Sequence, residues 1–419
     1  MGERQAREQG KGKGAKHGND NDPGLRSDRG HHANFVRYIG GGLARRGVEL
    51  RVYGYQSMTP ELVREFGAVP LFRALTYLKD DGDPICGWLT GFDLFVRTTI
   101  EDLARLPPVD ASDLVFLSTA GPVQLMATLA WYRGLPEGQR PCLIIEVNEV
   151  GMIGRRDGGQ LHFEAPDPVL ESRPVLFRFV GRRHLQPVPP RVHFVSFEPV
   201  TAALLAQLME CQARVLPLPY CAAGPLRSRV GARPVTIACL GHQSERKGYL
   251  LLPALARALL RRHSDIRLLI QTVHVGDAGA DAATGELHAL AAREQRLVLD
   301  EDAAGLDRWP ILLGKADLIL CPYRGDAYLD SFSSMACEAL ANAIPVVVPR
   351  SSTLERLFEE CGQPGTAFAE HTVDAILAAT EAALGQFDRH AERAYQAALA
   401  WPQRYGPERL AEQLIALAG

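Results

Sequence analysis

Asp330–Pro349 reads DSFSSMACEALANAIPVVVP, and its reading decides the fold. Small and helix-favouring residues, FSSMACEALANA, run from Phe332 to Ala343, and a bare apolar stretch, IPVVVP, follows directly. That order is a short helix feeding a strand buried on both faces, the unit from which parallel, helix-covered sheets are built. Either Ser331 or Ser333 can cap the helix. A capped first turn offers free N–H groups to an anion. Asp330 stands eight residues before Glu338, about 12 Å along a helix axis. Two carboxylates beside a phosphate would repel it, so in a binding site they suit hydroxyl groups. Either feature alone also fits a helix cap and a surface charge.

A second stretch points the same way. In IACLGHQSERKGYLLLPAL, residues 237–255, an apolar strand ends at Gly241, a polar loop follows, and Lys247-Gly248 opens a helix. A lysine beside a helix start adds an ammonium to the positive end of the helix dipole, which suits an anion. The spacing is not that of a Walker A loop. Both loops follow strands and precede helices, one supplying a cation and the other hydroxyl acceptors. A pyrophosphate carrying a sugar on each side fits that combination.

Strand–helix alternation extends through most of the 419 residues. DLVFLSTAG, PCLIIEVNEV and RVHFVSF read as strands in the first half, as do VTIACLG, IRLLIQTV, RLVLD and ADLILCPY in the second. A Pro-, Gly- and Arg-rich break at 217–233 separates the halves. The expected fold class is α/β, with two Rossmann-like, doubly wound domains facing across a cleft.

Hydrophobic residues make up 46%, charged residues 23%, and net charge is −3. This is a globular balance that gives no reason to expect nucleic acid as a partner. The eight cysteines (Cys86, Cys142, Cys211, Cys221, Cys239, Cys321, Cys337 and Cys361) are spread singly. They read as small hydrophobes in a reducing compartment. No apolar run reaches the ~18 residues of a spanning helix, and no h-region follows the basic start.

The second half resembles the group 1 (family four) glycosyltransferases of the GT-B fold. Their pattern is G-R-x-x-x-x-K-G after a strand, then A-D-x-x-x-x-P-S, then E-G-F-G-x-x-x-x-E-A-x-A-x-G-x-P-V-V. This chain carries GHQSERKG at 241–248, ADLILCPY at 316–323 and DSFSSMACEALANAIPVV at 330–347. The resemblance covers roughly 230–400. It implies donor binding by Gly241, His242, Arg246, Lys247, Asp330, Phe332, Ser333, Ser334 and Glu338. Lys247 would meet the diphosphate, Asp330 the donor-sugar hydroxyls and Glu338 the ribose. The chain departs from the family at His242 (usually Arg), Asp330 (Glu), Ser333 (Gly) and Ala343 (Gly).

The first half resembles the family more remotely, through GHHANFVRYIGGGLARRGVELRVYG. This implies that His31 and His32 face the reaction, alongside Lys247 and Asp330 as the catalytic set. Glu146, Asn148 and Glu149, following an apolar strand, are expected on the acceptor side; His162 and His193 are expected to be structural. The family's apolar first strand has no counterpart in NDNDPGLRSDR. Either the sequence begins short of its natural start or the chain dispenses with that strand.

The expected domains are a disordered segment at 1–28, an acceptor domain at 29–220 lacking its first strand, a donor domain at 221–400, and a C-terminal helix at 401–419 crossing back. The expected activity moves a sugar from a nucleotide diphosphate sugar to an acceptor hydroxyl of a polysaccharide or glycolipid. Retention of configuration follows from the resemblance. No metal-ligand cluster or DxD-type triplet stands near the donor residues, so neither metal nor cofactor is expected. The expected location is cytoplasmic, with peripheral association at the inner membrane face left open. Two rivals are a nucleotide-sugar 2-epimerase of the same fold and a catalytically degenerate GT-B subunit that binds a partner.

Overall fold

The computed structural model describes residues 17–28, 31–76, 91–157, 160–169, 171–274 and 279–419. Two compact units divide the chain. Among the described residues, the first holds those of 17–28, 35–219 and 407–419; the second holds those of 31–34 and 220–406.

The first unit runs β1 (His17–Asn21), α1 (His31–Ala44, its first turn grouping with the second unit), β2 (Glu49–Tyr55), α2 (Pro60–Phe66), β3 (Val69–Phe72), α3 (Phe92–Leu103), β4 (Leu114–Leu117), α4 (Pro122–Gly134), β5 (Cys142–Glu146), the hairpin β6 (Ile153–Asp157) and β7 (Gln160–Glu164), α5 (Arg173–His184), β8 (Val192–Ser196), α6 (Pro199–Met209) and β9 (Ala213–Val215). Its main sheet is parallel, in the order β3-β2-β1-β4-β5-β8-β9. The LVFL of β4 and CLIIE of β5 are buried throughout, as expected of strands covered on both faces.

One expectation is overturned here. The first strand is present, and it is polar. β1 is HGNDN and lies in the middle of the sheet, paired on one side with β2 and on the other with β4. Asn19, Asp20 and Asn21 are buried. Residues 17–28 therefore belong to the fold; 1–16 lie outside the described residues, as does Cys86. Apolar content misleads here because β1's place is held by backbone pairing on both edges, while β4, β5 and the covering helices supply the apolar core.

The second unit runs β10 (Val235–Cys239), α7 (Leu252–Arg262), β11 (Ile266–Gln271), α8 (Ala280–Ala291), β12 (Leu297–Asp300), α9 (Arg308–Lys315), β13 (Leu318–Leu320), α10 (Ser334–Ala341), β14 (Val346–Pro349), α11 (Thr353–Glu360), β15 (Gly365–Phe368), α12 (Val373–Gly385) and α13 (Phe387–Arg404). Its parallel sheet has the order β12-β11-β10-β13-β14-β15. The order reverses between β10 and β13. In sheets of this kind ligands bind outside the strand carboxyl ends at that switch point.

The last helix, α14 (Pro407–Ala418), belongs to the first unit and packs on β5. Arg45 pairs with Glu408 and Arg46 with Glu412. A β-carbon on Gly42 would lie 2.2 Å from the Pro407 carbonyl oxygen, so this close packing requires the glycine.

Candidate functional site

The loop after β10 turns at Gly241, whose φ is 93° and whose N–H donates to Gln271 Oε1 at 2.8 Å. A 3₁₀ turn, Glu245–Lys247, follows. Lys247 Nζ donates to the His242 carbonyl at 3.0 Å and lies 5.8 Å from the centre of the Tyr323 ring. Desolvation, and then the neighbouring Arg246, push its pKa down to about 8. Gly248 closes the loop at φ 74°, where a β-carbon would sit 1.9 Å from the Pro322 carbonyl oxygen. Glycine is thus required at 248, because the chain passes against Pro322, just after β13.

After β13, Tyr323 and Tyr328 stack with centroids 5.0 Å apart. Arg246 lies 5.6 Å over the Tyr328 ring, so two adjacent cations cover two stacked aromatics. Tyr323 hydrogen-bonds Ser333, and burial raises its pKa well above the usual value. Ser333 is the N-cap: its Oγ accepts from the Ala336 N–H at 3.3 Å. Ser331 instead accepts, through its carbonyl, from Thr353 Oγ1 at 2.6 Å. Phe332 meets Tyr220 edge-on at 6.0 Å. Asp330 is half-buried in the loop before α10, not on the helix itself, so the helical 12 Å spacing to Glu338 does not apply.

Glu338, in α10, is 2% exposed. Trp309 Nε1 donates to its Oε2. Burial raises the Glu338 pKa to about 7, and the Trp309 bond works against that rise. Ala343, after α10, holds φ 59°, the conformation that explains why glycine is usual there.

The histidine pair joins this group. Residues 31–34 belong by contact to the second unit. The His31 and His32 rings lie 4.1 Å apart. His31 is held well below the usual histidine pKa, first by burial, then by the charges of His32, Lys247 and His242. One end of the second unit therefore gathers Lys247, His31, His32 and His242 within electrostatic reach. The other three disfavour charge on His31, and an incoming anion would offset that.

The acceptor-side candidates occupy the first unit. Glu146 ends β5 fully buried, and its Oε2 accepts from the Thr119 N–H at 2.7 Å. Burial is the largest cause raising its pKa to about 8, with Asp22 and Asp20 adding to it. Asn148 Nδ2 donates to Thr119 Oγ1 at 3.2 Å, so these two side chains meet at one residue. Thr119 itself holds a left-handed φ of 51°. Glu149 turns away and pairs with Arg173 at 3.2 Å. His162 lies in the exposed hairpin and His193 in β8.

Sequence reading missed Trp309, Tyr323, Tyr328 and the Gln271–Asp300 contact. A Trp-Pro pair at a helix start was the available signal for Trp309. Tyr323 stands where the resembled pattern carries serine.

No family profile matches the chain, and no curated protein matches it. Solved structures do. Sucrose-phosphate synthase from Thermosynechococcus elongatus aligns with TM-score 0.65 at 14% identity, covering 96% of this chain and 97% of its own. HepE from Anabaena, solved with UDP, aligns at 0.62 and 14% identity, covering 96% and 98%. The trehalose-6-phosphate synthase OtsA aligns at 0.62 and 12%, covering 96% and 98%. These likenesses establish the fold: α/β, with the architecture of GT-B glycosyltransferases. Among the described residues, no helix is long and apolar enough to cross a membrane.

Proposed function

We propose that the protein is a glycosyltransferase that takes a nucleotide diphosphate sugar as donor and passes its hexose to an acceptor hydroxyl, with retention. The observation that carries this is the Lys247 ammonium. It is desolvated, pushed down to about 8, and set at the switch point over Tyr323, whose hydroxyl hydrogen-bonds Ser333, the cap of α10. A buried cation costs stability unless an anion meets it. A diphosphate would, and the α10 N-terminus adds donors. HepE structures that hold UDP, UDP with glucose, and UDP-glucose support this ligand class.

In this reading Lys247, with His242 and Arg246, stabilises the charge on the departing diphosphate without a metal ion. The backbone at Gly241 and from Phe332 to Ser334 lies along the phosphates. Asp330 accepts from donor-sugar hydroxyls and Glu338 from the ribose. His31 and His32 hold or move protons at the reacting end. Glu146 and Asn148 serve the acceptor, a carbohydrate or lipid-linked glycan, whose chemistry allows work at a membrane face.

Calorimetry with UDP-, GDP- and ADP-glucose tests the reading. At least one should bind the wild-type chain, and Lys247→Ala should weaken it at least about tenfold. Failure of all three to bind would overturn it. Release of free nucleotide only when an acceptor is present would separate transfer from epimerisation.

A further inference from the structure

Glu338 has one hydrogen-bonding side-chain partner among the described residues, the Trp309 indole N–H. Trp309 opens α9, and its backbone N–H donates to Gly305 O at 3.1 Å. Arg308, beside it, pairs with Asp300 Oδ1 and reaches Asp302 at 3.1 Å. Asp300 ends β12 and is buried; its Oδ2 accepts from Gln271 Nε2 at 3.2 Å. Gln271 ends β11, and its Oε1 accepts from the Gly241 N–H at 2.8 Å. A relay therefore runs from the turn that begins the Lys247 loop, across the ends of β11 and β12, through α9 to the carboxylate in α10.

We infer that Trp309 is the positioning residue for Glu338. Its indole N–H holds one carboxylate oxygen so that the other is presented to a ribose hydroxyl, and the relay keeps this grip in register with the Lys247 loop. The inference rests on the donor reading above. A charge-assisted N–H···O⁻ bond is roughly twice as strong as a neutral one, and it favours the ionised carboxylate against the burial that opposes it. Without the indole, burial would leave Glu338 a neutral acid with a poorer acceptor face. Among the described residues, burial raises the Glu338 pKa and the Trp309 bond lowers it, with no ion pair to a basic side chain of α9 or α13. Arg308 is engaged by Asp300 and Asp302, and His390 of α13 answers, after burial, to Arg393 and Arg389.

Two measurements on the full-length chain test this. The first follows the indole ¹⁵N–H resonances of the four tryptophans from pH 5 to 9, with Trp309→Phe assigning the relevant peak. That peak should titrate in the wild type with a midpoint near 7 and stand still in Glu338→Gln. The second is the pH profile of UDP affinity in wild type and Trp309→Phe. The variant should lose affinity on acidification at a pH about one unit higher, a tenfold change in proton affinity, whereas a merely structural defect would weaken binding equally at every pH. A pH-independent Trp309 resonance, or superimposable profiles, would overturn the inference. If UDP, GDP and ADP all fail to bind the wild type, the donor reading falls with the presentation to ribose, while the resonance still decides whether Trp309 holds Glu338.

Discussion

The ammonium of Lys247 is bonded within its own loop, to the carbonyl oxygen of His242 at 3.0 Å. Beneath it lies the Tyr323 ring, and beside it Arg246. A cation so placed is poorly solvated, and among the described residues no carboxylate forms an ion pair with it. In the proposed reading, the donor diphosphate completes it.

Lys247→Ala should lower donor turnover by a factor on the order of 10², the scale of one preorganised charge-stabilising group. In the wild type, affinity for UDP should fall as pH rises through about 8, because the ammonium loses its proton there in the free protein. Calorimetry from pH 6 to 9.5 checks the slope; a flat profile would remove Lys247 from the phosphate site.

The same depressed pKa carries a stability consequence with a definite sign. A lysine easier to deprotonate when folded than when unfolded destabilises the fold below its folded pKa, and that burden lifts as pH climbs toward the unfolded value. Lys247→Met should therefore melt at or above wild type at pH 7 while failing to bind nucleotide, and the gap should narrow above pH 8. A lower melting point at pH 7 would mean the side chain has a packing role instead.

Glu338→Gln should weaken UDP binding about tenfold or more, the scale of a hydrogen bond to a charged group. Gln keeps the shape, so the thermal midpoint should move little. Equal affinity by calorimetry would show that the ribose assignment is wrong.

Gly248→Ala meets both a left-handed backbone and the Pro322 carbonyl. The backbone term alone is about 1–2 kcal/mol, and the contact adds to it. A fall of several degrees in the melting temperature is expected, with donor binding lost as the Lys247 loop shifts. Unchanged melting would show that the loop does not pass against Pro322.

Asp20 is buried in β1, and desolvation raises its pKa to about 8, with Asp22 adding to the rise and the Ser118 hydroxyl, bonded at 3.0 Å, opposing it. An acid raised in the fold contributes stability that is present below its unfolded pKa, near 4, and is lost as pH rises through the folded value. Asp20→Asn keeps an acceptor for Ser118 and removes the titration. It should exceed wild-type stability at pH 8 by at least about 1 kcal/mol, with the difference closing toward pH 4. Parallel stability curves for the two proteins would show that Asp20 is not held as a buried acid.

What the sequence determined by itself is largely local. The strand–loop–helix order of the second unit could be read because helix caps, glycine turns and apolar runs act within a few residues. Lys247-Gly248, the capped start of α10 and Glu338 belong to the same class. Tertiary structure decided the rest. HGNDN became a central strand because its backbone is paired on both edges by β2 and β4, and backbone hydrogen bonds leave no mark in side-chain polarity. Glu149 was drawn to Arg173, and Glu338 to Trp309, because each partner is delivered by a different element. Between such elements spacing along the chain carries no distance; only the packing of α9 and α10 at the ends of the strands sets which groups meet.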